Sequence, residues 1–443
     1  MSRRHAGTVT VLLGAGLAVT TAAAAWGGVA FPPWSETSDL PVPRWAKSVA
    51  PHNDDVPVFR GPSRIDPRRG TLHLDGRPPL YGAVRGPGCG GRWLLVGPLA
   101  WTCSDEVELS GDDPPPFVPT SVREQALPAR YSSDGLPFRY AFVGPGGARA
   151  FRDLQHAEED TAEGDLDPGF AVAIVAEREA HGQRWGQTRH GRWIALTDLV
   201  SARPVTLHGE VLHEGDPFDV GWIMPEHVPT YTDAKATKTA GVRQRFELVH
   251  RRAEEKTPSG VMVRITDDGA PGPAEWVRAR DLIHPTLATP PDELGGAAAT
   301  ARWIDVELAT ESLVAYEGVV PVYAALVATG RGPQGSETAT PKGVHRIWVK
   351  LETSSMGNLG DEDAETHYSI EDVPYVQFFA KGVAIHGAFW HHSFGAAHSH
   401  GCVNMAPVDA RWLFEFTSPE LPVGWSAVLP AGRASPGTVV RVR

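Results

Sequence analysis

Between residues 51 and 288 no apolar pattern keeps the period of a helix. Short runs rich in Val, Ile, Leu and Trp are cut by Gly, Pro and Asp instead. The chain has 47 Gly and 39 Pro, and punctuation this dense favours many short strands over long helices. At 443 residues it exceeds what one core organises, so roughly two to four domains are expected. Hydrophobic residues make up 42% and charged residues 21%, the balance of a soluble globular protein. A net charge of −12 with no Lys/Arg cluster excludes a nucleic-acid surface.

The N-terminus reads as an export signal. Arg3 and Arg4 are followed by an uncharged stretch from Ala6 to Trp34, apolar over Val9 to Ala25 and ending in four alanines. Residues 1–31 are therefore a cleaved signal peptide or an uncleaved anchor, with residues 7–31 as the membrane segment. Either way, positive charge before the segment places the rest outside the cytoplasm, in the periplasm or envelope. No Cys follows the apolar run closely enough for a lipoprotein anchor.

Three cysteines remain to be placed. Gly90, Gly91 and a strand over Arg92 to Val96 would let Cys89 meet Cys103 as a hairpin staple, which an exported protein permits. Cys402 is left over, either a reactive thiol or a buried inert one.

Along the chain, residues 32–50 read as a Pro-containing linker, and 51–120, 121–205 and 206–288 as three small β modules. Trp193-Ile194-Ala195-Leu196-Thr197-Asp198-Leu199 repeats as Trp276-Val277-Arg278-Ala279-Arg280-Asp281-Leu282, with a looser copy at Trp101 to Val107. This pattern resembles bacterial Src-homology-3-like barrels of cell-wall enzymes, which implies either wall-binding modules or spacers. Residues 289–301 form a second linker. From 302 to 443 the texture changes. A hairpin is expected over Trp303–Leu308 and Ser312–Tyr316, and further strands over Val319–Thr329, Val344–Leu351, Tyr375–Ala380 and Val383–His386. One short helix fits Pro407 to Phe416, where Pro suits the first position and Trp412, Leu413 and Phe416 make one stripe. The fold class is mainly β, multidomain, with small β-barrel-like N-terminal modules before a β-rich C-terminal domain.

The chemistry concentrates between His386 and Asn404, which hold five histidines and one thiol. One reading is nucleophilic catalysis: an imidazole takes the thiol proton and a following helix N-terminus steadies the charge. Another is a metal site using His391, His392, His398, His400 and Cys402, although no usual ligand spacing occurs. The third makes His391, His392 and His398 ordinary polar residues.

Ser399-His400-Gly401-Cys402-Val403-Asn404, with His386-Gly387 upstream, resembles the signature of the L,D-transpeptidase (YkuD) catalytic domain. Ile304-Asp305-Val306, Ala328-Thr329-Gly330, Thr340-Pro341-Lys342-Gly343 and Ser355-Met356-Gly357 extend the likeness over about residues 302–442. The resemblance implies that Cys402 is the nucleophile and His386 its general base, with the Gly387 carbonyl holding the other ring nitrogen. It makes His400 polar support near the sulfur, and Gly401 with the Cys402 N–H the oxyanion hole. Ser399 and Asn404 brace the loop on the substrate side, where Met356, Tyr375 and Trp390 also fall. Many members carry Arg where this chain has Asn404, a variant also common in the family. It implies peptidoglycan stem peptides as partners, and neither cofactor nor metal. The acyl-enzyme would be resolved by a second stem, by water as in an L,D-carboxypeptidase or endopeptidase, or by a protein lysine or a free D-amino acid. The non-enzymatic alternative is a wall-binding protein with a degenerate catalytic domain.

Overall fold

The computed structural model describes residues 40–115, 135–267, 269, 271–360, 367–432 and 435–443. The expected signal or anchor segment, residues 32–39 of the first linker, 116–120 of the first module and 121–134 of the second lie outside these residues. Among the described residues no helix is long and apolar enough to cross a membrane. The protein is mainly β.

The C-terminal domain is built from two linked sheets. In one, strands Gly343–Arg346, Val439–Val442, Arg302–Glu307, Ser312–Glu317 and Val320–Ala328 lie side by side. In the other the order is Val403–Met405, Val383–Gly387, Ser369–Ala380, Val349–Gly357 and Trp425–Val428. The end of Val320–Ala328 crosses to pair with Val403–Met405 and joins the two. Ile304, Val306, Leu313 and Val327 of the first sheet pack against Phe379, Ile385, Val403 and Met405 of the second. Helix Pro407–Phe416 closes this core with Ala410, Leu413 and Phe416. Its limits coincide with the expected ones, because Pro fixes the start and a buried apolar stripe supplies the reason to be helical. The expected strand over Val344–Leu351 is broken at Ile347-Trp348 into two, Gly343–Arg346 and Val349–Gly357. Each half then serves a different sheet.

The repeated Trp motif has one local form in both main copies. Strand Trp193–Ala195, a 3-10 turn over Leu196–Asp198 and strand Leu199–Ser201 match strand Trp276–Arg278, turn Ala279–Asp281 and strand Leu282–Ile283. The looser copy differs: strand Ala100–Cys103 reaches Val107–Ser110 through a plain turn. There Cys103 is disulfide-bonded to Cys89, with Cα atoms 5.6 Å apart.

The modules are tied to the C-terminal domain by backbone pairing. Arg68–Leu72 pairs with Trp425–Val428, and Ala171 with Ile370. Glu210–Val211, expected within the third module, instead extends the Val320–Ala328 strand edge. Leu207 and Leu212 are accordingly buried in the same cluster as Trp303 and Tyr316. An open strand edge is a template for pairing, and nothing in the linear sequence marks which segment fills it.

Candidate active site

Strand Val383–Gly387 runs parallel to Val403–Met405, in register Ile385 to Val403 and His386 to Asn404. Parallel partners face the same side of a sheet, and alternate residues share a face. His386 therefore shares its face with Asn404, and Cys402 immediately precedes that strand in a bend. The sulfur has Ala384 beside it, whose backbone N–H offers it a hydrogen bond. Cys402 is half-buried and packs at the edge of a cluster that also takes Met356 and Trp390. Trp390 in turn stacks on His386, ring centroids 5.7 Å apart.

The His386 ring has a defined tautomer. Its Nδ1 lies 3.1 Å from the Gly387 carbonyl, which can only accept, so Nδ1 carries the proton and Nε2 a lone pair. Burial lowers its pKa to about 4. Burial pushes the Cys402 thiol up, against the smaller favourable effect of the Ala384 N–H. The resting pair is thus thiol and neutral imidazole, not an ion pair.

The turn carrying the sulfur is braced from three sides. Ser399 accepts a hydrogen bond from the Gly401 N–H at 3.0 Å and donates to the Cys402 carbonyl. Thr340 donates to the Gly401 carbonyl at 2.7 Å and accepts from the Gly330 N–H at 2.8 Å. The Ser399 N–H reaches the Thr329 carbonyl at 2.9 Å, and Thr329 is itself held by the buried Glu311 carboxylate. Gly401 has φ +126, open only to glycine at low cost. Its N–H is committed to Ser399 and is not free to donate elsewhere.

Residues 301–442 match the family model of the L,D-transpeptidase catalytic domain, YkuD. The chain carries an L,D-transpeptidase catalytic domain. No curated protein matches it. Among solved structures it is similar to a cysteine-to-serine mutant of the Enterococcus faecium L,D-transpeptidase, at 22% identity and TM-score 0.24, over 32% of this chain and 50% of that one. It is also similar to the L,D-transpeptidase of Xylanimonas cellulosilytica, at 19% identity and TM-score 0.23, over 33% of this chain and 61% of that one. Against L,D-transpeptidase 3 of Mycobacterium tuberculosis with a faropenem-derived adduct, identity is 15% and TM-score 0.25, over 44% of this chain and 93% of that one. The chain thus spans about half to three fifths of the first two proteins.

Within the L,D-transpeptidase domain Tyr375, expected on the substrate side, has its ring against Phe414. Tyr375 is 4% exposed and its hydroxyl donates to the Gly135 carbonyl of the second module at 2.7 Å. It lines a cavity of about 1150 Å³ to which no residue from 386 to 404 contributes. Tyr368, seven positions earlier, is, like Trp390, an aromatic residue near the sulfur. Its ring stacks on His400 at 6.2 Å and 11°, and burial, followed by the Cys402 charge, raises its pKa. Left-handed backbone at Asp372 and Tyr375 turns side chains of strand Ser369–Ala380 out of simple alternation.

The additional histidines separate by partner. His391 is buried, its pKa lowered to about 3 chiefly by burial, so it is neutral. Its Nδ1 accepts from the Ser393 N–H at 3.1 Å, which leaves the proton on Nε2. Asn404 Nδ2 lies 2.8 Å from that Nε2 and Asn404 Oδ1 has no partner among the described residues, so turning the amide over would let Oδ1 accept from the Nε2 proton. His392 and His398 are exposed. Groups of three possible metal ligands among the described residues are Cys89, Cys103 and Asp105, and His190, Glu371 and Asp372; neither includes Cys402 or its neighbouring histidines. The first is spent on a disulfide. In the second, Arg189 and Arg192 already pair with the two carboxylates.

Thr340→Val tests the bracing directly. The change strips a buried carbonyl and a buried N–H of their partner, so stability should fall by about 1–3 kcal/mol. Thermal melting read alongside the rate of Cys402 alkylation checks it. Unchanged values for both would remove Thr340 from the account of the loop.

Proposed function

We propose that this chain is an exported L,D-transpeptidase that forms peptidoglycan cross-links through a Cys402 thioester. What supports the reading is the parallel pairing of Val383–Gly387 with Val403–Met405, which brings the strand of His386 beside the turn that carries Cys402. Cys402 attacks the carbonyl between diaminopimelate and D-Ala of a tetrapeptide stem while His386 Nε2 takes the thiol proton. The developing oxyanion is met by the Cys402 N–H. The imidazolium returns its proton to the departing D-Ala amine, leaving a thioester on sulfur. A diaminopimelate amine of a second stem then attacks that thioester and loses its proton to His386, and the thiol is regenerated. No cofactor enters the scheme.

Export is supported by the Cys89–Cys103 disulfide, a bond that persists in oxidising compartments. Pairing of the modules onto the catalytic sheets supports a role in holding this domain at the wall.

The test is mass spectrometry of tetrapeptide muropeptides incubated with the purified protein. Dimers that have lost one D-Ala, joined between two diaminopimelates, are the expected product. Tripeptide monomers alone would make the enzyme a carboxypeptidase. Unaltered tetrapeptides would remove the enzymatic reading.

A further inference from the structure

Arg331 follows Gly330, just past the end of strand Val320–Ala328, which pairs with Val403–Met405. Its N–H donates to the Ser399 carbonyl at 3.0 Å, and its Nη2 lies 2.8 Å from His400 Nε2. A guanidinium has donors and no acceptor. Nε2 of His400 is therefore the acceptor, and the ring keeps its proton on Nδ1. The ring is neutral in this arrangement, with its pKa lowered by burial and then by the Arg331 charge. Tyr368 stacks on the same ring, so the imidazole is fixed between an aromatic face and a cation.

This guanidinium spends one donor on His400. Arg331 is exposed, and among the described residues no carboxylate pairs with it. A planar fork of five donors is matched by a carboxylate, which it binds through two parallel hydrogen bonds. The chain as a whole carries −12, so an anionic peptide is repelled at long range and needs a local cation to be seated. Arg331 supplies one, hydrogen-bonded to the loop that bears the sulfur.

We propose that Arg331 is a specificity-determining residue, receiving a carboxylate of the donor stem while His400 holds the guanidinium in place. The inference rests on the stem-peptide reading of the site. The tetrapeptide carries three candidate carboxylates, on D-glutamate, on diaminopimelate and on the terminal D-Ala.

The experiment measures binding calorimetrically in a full-length Cys402→Ala background, which separates recognition from acyl transfer. The probes are the free-acid tetrapeptide and three versions, each with one carboxylate converted to a carboxamide. With Arg331 present, one carboxamide should bind about 10–100-fold more weakly than the free acid, the loss of a charge-assisted pair. Arg331→Met should weaken the free acid by a similar factor and stop distinguishing that carboxamide, and Arg331→Lys should recover part of the loss. Equal weakening on all four peptides, or none, overturns the proposal, as does failure of every peptide to bind. If binding follows Arg331 but the protein with Cys402 intact transfers no acyl group, the transpeptidase reading fails and this one stands. If acyl transfer proceeds without Arg331-dependent discrimination, the reverse holds.

Discussion

Cys402→Ala should abolish the mass gain of the intact protein on incubation with a carbapenem, and melting should move by no more than a few degrees. The sulfur is half-buried at the edge of a cluster, so losing it leaves a small gap and no stranded hydrogen-bond partner of consequence. His386→Ala should retain the thiol but slow acylation about 10²–10⁴-fold, the usual worth of a positioned base. The pH profile carries the sharper prediction. A group can act as a base only where it is unprotonated, and burial lowers the His386 pKa to about 4. Acylation should therefore hold as pH falls from 7 to 5 and be lost through about 4, not near the ~6.5 of an ordinary histidine. Alkylation by iodoacetamide, which needs the free thiolate, should instead be slow at pH 7 and climb into the alkaline range, because burial raises the thiol pKa. An acid limb near 6.5 would show that the ring is open to water. Rapid alkylation at pH 6 would show a preformed ion pair.

Much of this site is legible in the linear chain because its parts are local. The residues from Ser399 to Asn404 form one turn and one strand, and their hydrogen bonds close within a few positions. The helix at Pro407–Phe416 is readable for the same reason. What the sequence hides are partners that meet only through the sheet. Thr340 reaches Gly401 across 61 positions, and Arg331 reaches His400 across 69. Thr340 was visible as part of a Thr-Pro-Lys-Gly segment, but its role as the bolt between Gly330 and Gly401 depends on strand order. Tyr368 lies just before strand Ser369–Ala380 and meets His400 only through the fold, across 32 positions that no local pattern connects. The docking of residues 207–212 onto the catalytic core was hidden too, since short apolar runs say what wants burial and not against what.

Asp409 tests that docking, and its effect should depend on pH. The residue lies in the first turn of helix Pro407–Phe416 and is fully buried. One carboxylate oxygen accepts from the Gly209 N–H at 2.8 Å and from the Tyr323 hydroxyl at 2.7 Å. The other oxygen has no hydrogen-bond partner among the described residues. Burial outweighs those two bonds and lifts the carboxyl pKa to about 6. The folded protein therefore holds a proton that the unfolded chain, with an ordinary aspartate pKa near 3.9, releases. That contribution is complete below about pH 4 and is lost as pH rises through 6, worth about 3 kcal/mol in the limit. Asp409→Asn is permanently uncharged, so it should be near neutral at pH 4 and stabilising at pH 8. Asp409→Ala should cost about 3 kcal/mol at pH 5, because it strands the Gly209 N–H and the Tyr323 hydroxyl and leaves a void. Denaturant melts of the three proteins at pH 4, 5 and 8 decide the matter, and an Asn variant whose effect is the same at every pH refutes the raised pKa. The strand Val403–Met405 runs into this helix with only Ala406 between them. Releasing the 207–212 segment in the Ala variant should therefore also quicken Cys402 alkylation, as the catalytic turn loses the support beneath it.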